Sequence, residues 1–402
     1  MKILSVLNHL TPKILDVASV ILFFSSTLLI PFYFFKATHL QLSHSIMIIS
    51  ALIIIFIKIE DAWILFKNNI YLPAFLGLIT LTNSIYLWQL HNIEFFLNTL
   101  HWLFNSIIFF SFLLLFNNKR FYGVLKWMIL SIFFLITITY FLGFGTYTFW
   151  PRYDFYFNGP NQLGFFTLCM LLSFFVINRS LFNLQFFIAY SLAFFIFFST
   201  GGRSIYIALP PLILIFSFFS RKQMGKLIYI LAIPMVIFIT FSFFKLPLNA
   251  GISDNQQNIN FSPGIIKNTT DRFDILLEPS NLEFKKQLSV RAGEQMKGNF
   301  NFFLYGAGQG SFQRFSRESG EAYEVHSSLG AILFYYGILG FFLFLNFVYQ
   351  SFLVKKNIIF LLPLIFYSSF TYGFRAPYFW ICLALLSLMP PITNNYSDSS
   401  ST

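Results

Sequence analysis

Four arginines and one histidine in this sequence sit in surroundings suited to the chemistry of anions. Arg203 opens an apolar run in "STGGRSIYIAL", and Arg375 heads another in "YGFRAPYFW". Arg152 lies in "WPRYDFYFNGPNQLG", beside Asp154 and ahead of Asn161, and Arg291 lies in the polar stretch "FKKQLSVRAGEQMKGN". A guanidinium offers several donors in a planar fork that suits phosphate, and it keeps its charge. A single arginine at a helix end is equally well explained by snorkelling to lipid headgroups. Three together, with Arg291, point to a diphosphate or polyanion. His326, in "EAYEVHSSLGAILFYYGILG", stands at the mouth of an apolar run. An imidazole there suits a general base at neutral pH. The alternative is a polar helix cap, with Ser327 and Ser328 satisfying free N–H groups. His101 falls inside an apolar run and could line a cavity; His9, His39, His44 and His91 are scattered, and most look interfacial.

The elements that must hold these residues are membrane spans. Of 402 residues 57% are hydrophobic and only 10% charged, with a mean hydropathy of +0.70, whereas a soluble domain is about a quarter charged. A bilayer core needs roughly 20 apolar residues of helix. Such runs recur near 14–35, 43–58, 71–89, 94–116, 124–144, 162–177, 182–199, 204–219, 226–244, 327–349, 357–371 and 376–391. They are apolar on all sides, unlike the alternating strands of a barrel. The expected fold class is therefore an all-α polytopic membrane protein of about 12 (10–12) transmembrane helices, forming one domain over 1–402. Nine spans fill 14–244, a large outward loop with helices of its own fills 245–325, three spans fill 326–391, and a disordered tail fills 392–402. The first run is too long for a signal-peptide core and has no cleavage site after it.

Charge orients the bundle. With the N-terminus in the cytoplasm, the inward connections carry Lys58, Lys67, Lys119, Arg120, Lys126, Arg179, Arg221, Lys222, Lys226, Lys355 and Lys356, joined by Lys2 and Lys13. The short outward connections carry only Lys36, Arg152, Arg203 and Arg375. This is the positive-inside asymmetry, with both termini cytoplasmic. Nine further cations, Arg314 and Arg317 among them, lie in the long outward loop, which escapes that rule. The net charge of +11 thus reflects topology, and no nucleic-acid partner is expected. The two cysteines, Cys169 and Cys382, lie inside apolar runs and do not make a disulfide framework.

Several chemistries find no residues here. No His, Cys or Asp cluster has metal-ligand spacing, so no metal and no cofactor is expected. "GAGQG" follows no strand and opens no helix as a nucleotide-binding loop would. The first outward connection, "KATHLQL", lacks the carboxylates that would hold a divalent metal. No span carries Asp or Glu at its middle, which argues against a proton-coupled transporter.

Four segments, "FNGPNQLGFF", "STGGRSIYIAL", "SVRAGEQMKGNFNFFLYGAGQGSF" and "VHSSLGAILFYYGILGFF", resemble in order and placement the O-antigen ligase and polymerase superfamily. These are membrane glycosyltransferases that use undecaprenyl-diphosphate-linked glycans at the periplasmic face of the bacterial inner membrane. The resemblance covers roughly residues 155–345; the N-terminal third matches only in being hydrophobic. It implies a GT-C-like membrane fold. It implies that Arg203 and Arg291 hold the donor diphosphate and that His326 activates the acceptor hydroxyl, with Asn161 and Gly164 in the "NQLG" segment. Many relatives have His-Asn where this chain has His326-Ser327, so Ser327 would take over that hydrogen bond. Arg152, Arg375 and Arg317 join the candidate substrate contacts. The implied donor is an undecaprenyl-diphosphate-linked glycan. The implied acceptor is lipid A–core (ligase) or a second lipid-linked glycan (polymerase). Membrane lipids and a chain-length regulator or other polysaccharide-assembly proteins are the further expected partners. A flippase or exporter of lipid-linked sugars is the competing class, although neither midplane polar residues nor repeat symmetry is visible.

Overall fold

A computed structural model describes residues 2–33, 41–116, 118, 120–146, 152–178, 183–220, 232, 236, 299–310, 315 and 325–388. Among these the chain is helical, and its β structure is a single bridge between Thr146 and Phe155. The described helices are α1 (Lys2–Phe24, continued by a π-helical turn, Ser25–Leu29), α2 (Leu42–Ile57), α3 (Ile59–Asn68), α4 (Tyr71–Leu90), α5 (Glu94–Phe116), α6 (Arg120–Phe141), α7 (Pro160–Asn178), α8 (Leu184–Thr200) and α9 (Arg203–Ser220). After the long loop come α10 (Phe302–Tyr305), α11 (Ser328–Ser351), a 3-10 stretch (Lys355–Leu361) running into α12 (Leu362–Ser368), a 3-10 turn (Gly373–Arg375) and α13 (Pro377–Ser387).

Five of these helices are long and apolar enough to cross a bilayer: Thr11–Leu29, α5, α6, α7 and α11. A sixth span arises if α2 and α3 count as one, but they meet at a 97° bend. The bend follows from composition. α3 carries Glu60 and Asp61 in its first turn, Lys67 in its last, and no buried residue. Charges of those signs suit the ends of its dipole. Trp63 stacks on Phe66 and lies under the Lys67 ammonium, the aromatic-and-basic pattern of a helix lying in a membrane interface. Lys67, expected in a plain connection, thus belongs to a helix set across the direction of the span, and Lys58 stands at the bend.

The other expected spans are shorter or more polar. α4 has 20 residues but includes Thr80, Thr82, Asn83 and Gln89. The run at 204–219 forms α9 (Arg203–Ser220), and the runs at 182–199, 357–371 and 376–391 become the apolar helices Leu184–Thr200, Asn357–Ser368 and Pro377–Ser387 among the described residues. The eleven residues of α13 extend only about 16 Å, well short of a hydrocarbon core of about 30 Å. The run at 226–244, most of the loop at 245–325 and the tail at 392–402 lie outside the described residues.

The bundle is built around α7 and α5, whose apolar stretches are 89% and 72% buried inside the protein, against 44% for α1 and α6. Apolar faces such as Phe56 and Trp88, both over three-quarters exposed, are where lipid would contact the rim. Aromatic rings fill the centre. Trp102 meets Phe75, Tyr336 and Trp380 edge-on, and Phe347 stacks on Trp380; such pairs add about 0.5–1.5 kcal/mol each beyond the area they bury. Hydroxyls on the helices bond back one turn, as at Ser50, Ser111, Thr167 and Ser173, which keeps polar atoms satisfied where no water reaches. At the start of α6, Arg120 lies 2.7 Å from Asp16, midway along α1.

The glycine-rich turn is held within the bundle. Ala307 and Gly308 donate to the carbonyls of Phe334 and Tyr335 on α11 at 2.9 and 2.8 Å. The hydroxyl of Tyr86 on α4 donates to the Gly306 carbonyl at 3.1 Å. This docking occurs where α11 breaks at Gly337 (φ 69°, ψ −176°). A kink has an identifiable cause, and here it is backbone meeting backbone. A Cβ on Gly337 would lie 2.5 Å from the Leu304 oxygen, and one on Gly306 would lie 2.6 Å from the Tyr335 oxygen.

Candidate functional site

Among the described residues, the candidates gather at the end of the bundle away from the start of α6. α1 ends there in the turn that holds Tyr33; α7, α9, α11 and α13 begin there, and α8 and α12 end there. Tyr33 donates its N–H to the Tyr156 carbonyl at 3.3 Å, tying the first helix to the segment that carries Arg152.

Arg152 is fixed on two elements. Its Nε donates to the Thr200 carbonyl at 3.0 Å, and its Nη2 donates to Asn161 Oδ1 at 2.8 Å. Thr200 closes α8, and Asn161 lies in the first turn of α7. Gly202 lies between them and the start of α9. A Cβ on Gly202 would sit 3.2 Å from Asn161 Oδ1 and 3.7 Å from Arg152 Nη2, so glycine lets the backbone leading to Arg203 pass beside the Arg152–Asn161 pair. Arg203 is the first residue of α9, as the sequence predicts, and its side chain lies outside the described residues. Asp154 is buried and accepts from Thr146 Oγ1 at 2.6 Å.

A run of hydrogen bonds leads from this pair to the start of α11. The Tyr367 hydroxyl of α12 donates to the Asn161 carbonyl at 2.6 Å, and Thr371 Oγ1 donates to the Tyr367 carbonyl at 3.3 Å. Ser328 Oγ donates to the Thr371 carbonyl at 2.9 Å and accepts from the Phe374 N–H at 3.3 Å. Ser327 is the N-cap of α11, its side chain accepting from the Gly330 N–H. The capping role therefore falls to Ser327, while His326, half-buried, stands just before the cap. The N-cap is thus Ser327 and not the neighbouring histidine.

Arg375 closes the 3-10 turn ahead of α13, with its guanidinium over the Tyr372 ring at 5.5 Å. His101 Nε2 lies 3.0 Å from the Arg375 carbonyl oxygen, and Asn105 Nδ2 donates to the same oxygen at 2.8 Å. His101 packs edge-on against His44, 6.3 Å between centroids. Burial pushes the phenol of Tyr33 up to about 12, with the Arg375 charge pulling the other way. Tyr33 is therefore a neutral hydrogen-bonding group in the field of Arg375. His44, in the first turn of α2, faces His101 across this end of the bundle.

Gln309, in the docked turn, joins this region to the core. Its Oε1 accepts from Trp102 Nε1 at 2.9 Å, Tyr336 Oη at 2.8 Å and Tyr372 Oη at 3.2 Å. Its N–H donates to Asn83 Oδ1 at 2.8 Å, and Asn83 in turn donates to Thr99 at 2.9 Å. Replacing Gln309 with Leu removes the acceptor shared by three donors, two of them on fully buried rings. Each buried donor left unpaired costs about 1–3 kcal/mol. The expected result is a melting temperature in detergent well below that of wild type, and a variant that melts with wild type would show that Gln309 is not the hub.

Arg291 and Arg317 lie outside the described residues. Sequence reading passed over Asn83, Asn105, Gln309 and Tyr372. The available signal was amides in otherwise apolar runs, the neutral counterpart of the carboxylates sought there. Among the described residues, no group of three or more His, Cys, Asp or Glu is placed to hold a metal ion. Comparison with family models, with curated proteins and with solved structures finds no match for this chain.

Proposed function

We propose that this multi-pass membrane protein is a glycosyltransferase of the O-antigen ligase and polymerase type. It moves a preassembled glycan from undecaprenyl diphosphate to an acceptor sugar hydroxyl, at the periplasmic face of a bacterial inner membrane. Ligation to lipid A–core is the preferred acceptor reaction. The observation that carries this reading is the convergence at one bundle end of Arg152 with Asn161, the start of the Arg203 helix, the capped start of α11 beside His326, and Arg375.

The roles follow from the reaction. The leaving group is a lipid diphosphate, and arginines stabilise the charge that develops on it. Arg203 and Arg291 hold that diphosphate, with Arg152, Arg317 and Arg375 as further contacts. The acceptor hydroxyl must lose its proton as it attacks the anomeric carbon, and His326 takes it. Attack opposite the leaving group inverts that carbon. The phosphate–sugar bond supplies the driving force, so neither a nucleotide nor a metal is needed outside the cytoplasm.

The test is the lipopolysaccharide pattern of a deletion strain. Loss of a ligase leaves bare core with polymer stranded on the carrier, whereas loss of a polymerase leaves core bearing a single repeat. An unchanged pattern, or full complementation by each of Arg203→Ala, Arg291→Ala and His326→Ala, overturns the reading.

A further inference from the structure

We propose that His101 and Asn105 are positioning residues for Arg375, holding it as a contact to the diphosphate of the lipid-linked donor; this rests on the glycosyltransferase reading above. Both side chains come from α5, one helical turn apart, and both end on one atom, the Arg375 carbonyl oxygen. That oxygen can only accept, so the His101 proton resides on Nε2. Polar side chains inside an apolar helix are costly and are kept where they face the interior for a purpose. Here two of them are spent on one loop carbonyl.

The rest of the loop is held as firmly. Ser328 takes the Thr371 carbonyl and the Phe374 N–H. Gln309 takes the Tyr372 hydroxyl, and the Tyr372 ring lies beneath the Arg375 guanidinium. Helices α5, α11 and the docked turn thus each fix a different part of residues 371–375. A rigid support of this kind is what a charged group needs to meet a phosphate without paying to order itself.

Two further polar atoms lie beside this loop. Asn105 Oδ1 and Gln309 Nε2 are buried and make no hydrogen bond within the protein. The Asn105 amide cannot turn over without placing its oxygen against the Arg375 carbonyl. The Gln309 amide cannot turn over without losing the Trp102 N–H, which only donates.

The test is a double-mutant cycle on purified full-length protein, read by undecaprenyl diphosphate binding and by the donor KM of glycan transfer. Arg375→Ala is expected to weaken binding and raise donor KM on the order of 10–100-fold, as for a lost charge-assisted bond. His101→Ala and Asn105→Ala should each give roughly three- to tenfold, and His101→Gln, which keeps an N–H donor, should recover most of it. In the Arg375→Ala background, His101→Ala should add less than about twofold, because there is no guanidinium left to position. An undiminished His101→Ala effect in that background means that His101 acts elsewhere and overturns the proposal. So does wild-type behaviour of Arg375→Ala alongside inactive Arg203→Ala and Arg291→Ala, an outcome that leaves the glycosyltransferase reading standing. If wild type binds the lipid but transfers nothing, that reading fails, and the binding cycle alone decides the roles of His101 and Asn105. Absence of binding by wild type overturns both.

Discussion

His326→Ala is expected to lower glycan transfer by about two to four orders of magnitude, the usual contribution of a positioned general base. The amount of protein in the membrane and its melting temperature should stay near wild type. The separation follows from the local structure. Ser327, rather than His326, caps α11 by accepting from Gly330, and Ser328 secures the neighbouring loop. Removing the imidazole therefore takes away the proposed proton acceptor and leaves the Ser327 cap in place. His326→Gln, isosteric in part but unable to take a proton, should be as inactive as the alanine variant. Ser327→Ala gives the complementary result, losing about 0.5–2 kcal/mol of stability with its cap and retaining measurable transfer. The check is transfer by purified protein together with a thermal melt of each variant. A His326→Ala protein that is fully active would remove the proposed base, and one that fails to accumulate would assign His326 a structural role.

Gly337→Ala should be among the most damaging small substitutions in the described bundle. The backbone there has φ 69° and ψ −176°, a region only glycine occupies readily, and forcing another residue into it costs about 1–3 kcal/mol. The new methyl carbon would also lie 2.5 Å from the Leu304 oxygen and 2.9 Å from the Gly306 nitrogen. These are backbone atoms that no side-chain rotation can move aside. Overpacking of this kind adds about another 1–3 kcal/mol. Relief would come by pushing the 304–308 segment off α11, breaking the bonds of Ala307 and Gly308 to Phe334 and Tyr335 and releasing Gln309 from its donors. The result to expect is little or no monodisperse protein on size exclusion, with transfer lost as a consequence. Gly123→Ala is the control, because a Cβ there meets nothing within 4 Å and the site lies inside α6. It should be neutral or gain a few tenths of a kcal/mol to about 1 kcal/mol from helix propensity. Equal melting of the two variants would contradict the docking of the glycine-rich turn.

The amino-acid sequence by itself determined that the chain is a helical membrane protein, because twenty-residue apolar runs with few charges have no other stable home than a bilayer or its centre. It also determined where several helices start. Arg203 opens α9, Arg375 closes the turn before α13, and Ser327 precedes α11, since a charged or hydroxyl-bearing residue at the edge of an apolar run marks a helix end whatever it packs against. Length could not be read so safely. The run at 43–58 gives way to a helix at 97°, and the run at 376–391 yields eleven helical residues among those described, because hydropathy records how apolar a stretch is and neither where its helix ends nor the direction its axis takes. Tertiary structure alone decided which polar residues meet. His101 and Asn105 are 274 and 270 residues from Arg375, yet both bond its carbonyl; Gln309 is 207 residues from Trp102. No local pattern encodes such pairings. They exist because α5, α11 and the docked turn are packed by rings and glycines into contact, and once water is excluded each buried polar group must find a partner in the fold.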